Sequence, residues 1–173
     1  LGDLSQNLEF RSGFWRFSIE RFLALAAWHL DNQNDTFIHF ESDVLLLPNF
    51  PFKAFDEIRQ LSWLSYNKES DLAAIFFSPN SRETLWLADE VVDRISADSH
   101  LTDMRVLNHI SSSNPTRVFI LPSLRLDNIS PGFHLKVSKK EIENTKASQF
   151  QGVFDGAALG MWLTGEDPRN HTG

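Results

Sequence analysis

The sequence predicts an α/β fold, a mostly parallel sheet flanked by helices, on three observations. Apolar residues recur at helical spacing between Trp15 and Leu30 and between Leu85 and Ile95. Short runs dense in β-branched and aromatic side chains stand at 36–40, 72–77 and 117–121. The two patterns alternate along the chain, as in layered α/β domains whose strands are joined by crossover helices. With 173 residues, 42% of them hydrophobic and 23% charged, the chain is long enough to bury a core. It reads as one domain over 1–173, and disordered and fibrous classes are excluded.

In chain order, Trp15, Ile19, Phe22, Leu23, Ala26, Ala27 and Leu30 form one stripe of a helix, stopped by the polar run 31–35. Residues 36–40 have almost no polar alternation, which predicts a strand covered on both faces and leading directly into Glu41-Ser42-Asp43. After Val44-Leu45-Leu46-Leu47, Pro48 and Pro51 must leave regular structure, because each removes a backbone donor. A short helix is expected over 53–61. Residues 72–77 read as a buried strand, and Asn80 with Glu83 as a capping box opening the helix of Leu85, Ala88, Val91 and Ile95. A further helix starts near Thr102, carrying Met104, Leu107 and Ile110, and a third strand covers 117–121. The polar stretch 123–149 reads as a solvated excursion. Gly152, Gly156 and Gly160 recur every four residues, so a helix there would present a small-residue face that lets backbone or ligand approach closely.

Sixteen basic against 23 acidic residues give a net charge of −7, a field that repels phosphate backbones and anionic lipid. Nucleic acid is therefore disfavoured as a partner, and a small anionic ligand would need a metal cation or local arginines. The absence of cysteine excludes disulfides, thiolate metal sites and thiol nucleophiles. No apolar run approaches the roughly 18 residues of a membrane span. Beginning at Leu1 and ending just past His171, the sequence reads as a fragment, truncated at the N-terminus and open at the C-terminus. A cytoplasmic location is expected, or a Golgi lumen if an anchor lies outside the fragment.

The sharpest chemical feature is Glu41-Ser42-Asp43. Two carboxylates two apart, at the end of an apolar strand, lie where open α/β sheets bind ligands. Left between apolar runs they need a cation or hydrogen bonds, and hard oxygen donors without cysteine suit Mg2+ or Mn2+. Asp103 follows Thr102 at a helix start, where the macrodipole keeps a carboxylate ionised, so its residue-level reading is a first-turn acid. Asp155 reads at that level as an ordinary cap or turn residue. Trp63, just beyond the expected short helix, is the aromatic residue best placed to stack on a sugar, whereas Trp15, Trp28, Trp86 and Trp162 fall in helical segments and read as core. The histidines other than His171 lack metal-ligand spacing and read as structural.

The stretch Phe37-Ile38-His39-Phe40-Glu41-Ser42-Asp43-Val44 resembles the strand and DxD signature of GT-A-fold glycosyltransferases, with Glu replacing the first Asp and keeping its charge. The resemblance implies a GT-A-like, Rossmann-like mixed sheet and a divalent cation, Mn2+ or Mg2+, bridging the diphosphate of a nucleotide sugar. Its ligands would be Asp43 and Glu41, the latter also near the ribose or a metal-bound water. Gly13-Phe14-Trp15-Arg16 to Arg21 resembles the helix before that strand, where a basic residue faces the donor. Arg16 and Arg21, five residues apart, do not share a face, and Arg16 is assigned to the donor. Leu101-Thr102-Asp103-Met104 resembles the acidic motif on the acceptor side, which implies Asp103 as the general base, and Phe154-Asp155-Gly156 with Gly165 to His171 resembles the C-terminal part of such enzymes, with Asp155 a second base candidate. There His171 would complete the metal shell, and Gly156 and Trp63 would contact substrate. What the resemblance implies is transfer of a sugar to a glycan or other hydroxyl acceptor. The alternatives are a Mg2+-dependent nucleotidyltransferase, disfavoured by the lack of a Gly-rich phosphate loop, and a noncatalytic domain that kept the fold.

Overall fold

The computed structural model describes residues 14–32, 36–125, 129–130, 134–135, 147–150 and 152–156. The first helix, α1 (Phe14–Asp31), forms where the stripe predicts it and buries Ile19, Phe22 and Ala26. Its other side stays exposed at Phe17, Trp28 and Leu30, so Trp28 and Leu30 are not core positions. Strand β1 (Phe37–Phe40) follows, then a 3-10 helix over Phe52–Glu57, β2 (Leu61–Ser65), β3 (Asp71–Ser78), α2 (Ser81–Ala97), α3 (Asp103–Ser113) and β4 (Val118–Ile120). Asn80 caps α2 by accepting from the Glu83 amide at 3.0 Å, as the capping box predicts. Shorter pieces complete the described chain: β5 (Ser123–Leu124), β6 (Ile129–Ser130), β7 (His134–Leu135), α4 (Ala147–Phe150) and β8 (Phe154–Asp155).

The central sheet has the order β1-β3-β2-β4. It is mixed rather than mostly parallel: β1 and β2 both run antiparallel to β3, and only β2 and β4 are parallel. The expectation fails because residues 53–61 hide a strand start. The predicted helix there is one 3-10 segment, and Leu61 begins β2 instead. Residues 66–70 then turn the chain straight back, the amides of Tyr66 and Asn67 both donating to the Ser70 carbonyl, and so short a connection joins only antiparallel strands.

Strand β1 is half-buried along its length and, among the described residues, pairs only with β3, so it is not a strand covered on both faces. One face of the sheet packs Leu61, Trp63, Ala73 and Phe76 against α1, α2 and α3. The other packs Leu64, Ile75 and Phe77 against Phe55, Ile58 and Phe150. Ala73 and Phe76 share a face although three apart, so the alternation of β3 slips near Ala74, within the stretch where its register with β2 shifts. The Glu41 amide donates to the Ala74 carbonyl at 3.0 Å at that slip, and β1 gives way to a turn. Beyond the turn the apolar run is not a strand: Leu45 is 84% exposed and Leu47 60%. No helix among the described residues is long and apolar enough to cross a membrane.

Candidate functional site

Three segments far apart in sequence meet at Arg21. Its neighbour Phe22 is buried edge-on to Phe76 of β3, with ring centroids 6.2 Å apart, which fixes that turn of α1 over the sheet. From there Arg21 Nη1 pairs with Glu41 Oε1 and Nη2 donates to Asp103 Oδ2 at 2.8 Å. Glu41 is placed by the last ladder bond of β1 and by a turn closed by the Val44 amide on its carbonyl at 3.1 Å. Asp103 is placed by the start of α3, where Thr102 accepts from the Arg105 amide through its side chain and from the Val106 amide through its carbonyl.

Two carboxylates share one guanidinium, so the cluster carries a formal charge of −1 in partly dry surroundings. Burial pushes the Asp103 carboxyl above its ordinary value, opposed by Arg21 and by backbone amides at the helix start. The helix start alone would hold Asp103 ionised; burial, the largest effect, works the other way. Burial likewise lowers the Arg21 guanidinium, opposed by Asp103, yet a guanidinium stays charged at any pH proteins tolerate. His39 of β1 is held below the usual imidazole value, first by burial and then by the charge of Arg21. Arg21 Nε and Asp103 Oδ1 are both buried without a hydrogen-bond partner among the described residues.

The other predicted site residues fall elsewhere. Arg16 lies on the opposite flank of α1, exposed and paired with Glu20 at 2.6 Å, so it does not join the cluster; Arg21 does. Trp63 is completely buried in β2, stacked on Phe76 with its Nε1 donating to Asp71 at 3.1 Å, so it offers no face to a sugar. The strand start hidden at Leu61 turns its ring into the helix-covered core. Asp43 is exposed in the turn two residues past Glu41.

Asp155 is exposed on β8, which pairs parallel to β5, a different pairing from the one that ends at Glu41. Residues 152–156 are a bend and a strand, so the four-residue glycine spacing does not make a helix there. Gly156 is buried because backbone crowds it: a Cβ would lie 2.8 Å from the Ser65 carbonyl oxygen and 3.1 Å from that of Leu124. Its close approach is to β2 and β5. His171 lies outside the described residues.

Among the described residues no group of three His, Asp or Glu side chains is placed to hold a metal ion. Glu41 and Asp43 are oxygen donors of the kind a hard cation of the Mg2+ type takes, one or two carboxylates at a time, with water and substrate phosphate completing its shell. Glu41 already carries a hydrogen bond from Arg21. A separate open groove of about 880 Å3 lies beside Phe50, Phe52, Lys53 and Phe150, and none of the predicted site residues lines it.

Arg21 was legible only as one of two arginines flanking the stripe of Ile19, Phe22 and Ala26; helical periodicity does not say which flank meets the end of β1. The placing of His39 within reach of the Arg21 charge had no sequence signal beyond its place in the strand. Comparison of the chain with family models, with curated proteins and with solved structures finds no match.

Proposed function

We propose that this chain carries a metal-dependent glycosyltransferase site of the GT-A type, moving a sugar from a nucleotide-diphosphate sugar to a hydroxyl of a glycan or other acceptor. The observation that carries the proposal is the convergence on Arg21 of Glu41, from the acid-Ser-acid turn, and Asp103, from the acidic helix start. Those are the segments whose sequences resemble the donor and acceptor motifs of such enzymes, and nothing in composition or periodicity requires them to meet. Asp43 and Glu41 would hold Mn2+ or Mg2+, with His171 as the third donor. The cation would supply the positive charge that a diphosphate leaving group needs and that a domain of net charge −7 lacks.

The remaining work falls to this chain's own side chains. Arg21 holds both carboxylates in place across three elements. Asp103, made more basic by burial, is suited to accept the proton of an acceptor hydroxyl if the reaction inverts, and to orient that hydroxyl if it retains. Asp155, on β8, is the second acid of the proposal.

Calorimetric titration of the full chain with a panel of nucleotide sugars, with and without Mn2+, is the test. Binding that requires both a nucleotide sugar and the metal is the expected result. A preference for nucleoside triphosphates would replace the proposal with nucleotidyl transfer, and no binding of either class would leave a noncatalytic domain.

A further inference from the structure

We propose that Arg21 and a divalent cation compete for the Glu41 carboxylate, so that this arginine sets how tightly the Glu41-Ser42-Asp43 arm binds metal. The inference rests on the cation of the proposed function and goes beyond it, assigning the control of its affinity to a residue that is not a ligand. Arg21 Nη1 already donates to Glu41 Oε1, and Glu41 is only partly exposed. The guanidinium cannot withdraw by losing a proton. A doubly charged ion on the same carboxylate would therefore sit within a few ångströms of a fixed positive charge, at the range where repulsion is steepest. Asp43, exposed and not a partner of the Arg21 guanidinium, does not meet that opposition directly.

The same geometry gives Arg21 a second place to go. Its other terminal nitrogen already holds Asp103 at 2.8 Å, and Asp103 Oδ1, on a side chain only 7% exposed, has no hydrogen-bond partner among the described residues. Arg21 Nε is likewise buried and without one. A guanidinium displaced from Glu41 can turn its unused donor toward the unused acceptor and remain neutralised. Glu41 thus passes between two cations, one built in and one from solution, and Asp103 keeps the arginine in either case. By linkage, whatever free energy Arg21 takes from metal binding the metal takes from the Arg21–Glu41 pair, so removing the arginine must tighten metal.

The test measures Mn2+ alone, by calorimetry and by the paramagnetic signal of unbound Mn2+, on the full chain and on Arg21→Gln, Arg21→Lys and Glu41→Gln. Arg21→Gln is expected to bind Mn2+ about tenfold or more tightly than the parent, a lower bound set by losing one adjacent positive charge. Arg21→Lys keeps the charge and should stay near the parent. Adding Arg21→Gln to Glu41→Gln should change nothing. Should Arg21→Gln fail to fold, because the buried Asp103 and the part-buried Glu41 lose their partner, the comparison moves to Asp103→Asn with and without Arg21→Gln, and the same tightening is expected. If the parent binds Mn2+ and Arg21→Gln binds it no more tightly, the competition is overturned and the proposed cation site survives. If no chain in the set binds Mn2+, both fall.

Discussion

Arg21 and Asp103, 82 residues apart in sequence, meet at 2.8 Å through Nη2 and Oδ2, and the same guanidinium holds Glu41 with Nη1. The contact ties α1, the end of β1 and the start of α3 into one electrostatic unit. Removing either carboxylate leaves the arginine one partner, whereas removing the arginine leaves two acids without their shared cation, which makes Arg21 the least replaceable of the three.

Asp43→Asn should abolish metal-dependent donor binding while leaving the fold intact. The side chain is exposed in a turn, so the change removes a charge and keeps the shape at little cost in stability. Titration with Mn2+ and a nucleotide sugar, beside a thermal melt, checks both halves. Unchanged Mn2+ affinity would end the assignment of Asp43 as a ligand.

Asp103→Asn should lower turnover by about 10²–10⁴-fold if Asp103 is the general base of an inverting transfer. A loss within about tenfold would remove it from that role. The same variant reports on pH. Burial raises the folded-state value of Asp103 above its ordinary 3.8, so the native state binds more protons between the two values. The stabilising contribution of Asp103 is therefore complete below the unfolded value and is lost as pH rises through the folded one. In denaturant melts from about pH 3 upward, the stability of the parent relative to Asp103→Asn should fall with rising pH, and parallel curves would contradict it.

Trp63→Ala should destabilise the domain by about 3–5 kcal/mol, the usual cost of emptying a fully buried aromatic site. Trp63→Phe should cost less, because Asp71 still accepts from Ser111 at 2.6 Å and from Asn108 at 3.4 Å. Neither change should alter donor affinity in the fraction that remains folded, as measured by titration after correction for unfolding. A selective loss of sugar binding in Trp63→Phe would restore the stacking role.

Gly156→Ala should destabilise by about 1–3 kcal/mol, because the added methyl meets the backbone of β2 at 2.8 Å and only a main-chain shift relieves it. Gly152→Ala is the control, since nothing lies within 4 Å of its Cβ position. Equal stability of the two variants in urea would show that β8 moves aside without cost.

Periodicity by itself determined α1, α2 and α3, the strand read at 72–77, which the fold extends to 71–78, and both caps, since each rests on interactions within a few residues. Asn80 and Thr102 could be read as caps because an N-cap bonds an amide three residues ahead, whatever the rest of the chain does. It also marked Glu41, Asp43 and Asp103 as the acids worth placing. Strand direction and facing were decided only in three dimensions. Leu61 to Ser65 is fully buried on both sides and shows no alternation to read, so the strand, the antiparallel turn after it and the burial of Trp63 were all invisible locally. The choice between Arg16 and Arg21 was likewise undetermined in sequence, because both flank the same buried stripe. Packing of Phe22 on Phe76 turns one flank toward Glu41 and Asp103 and the other toward solvent. Local bonds write the elements, while long-range burial decides which charged group each element brings to the site.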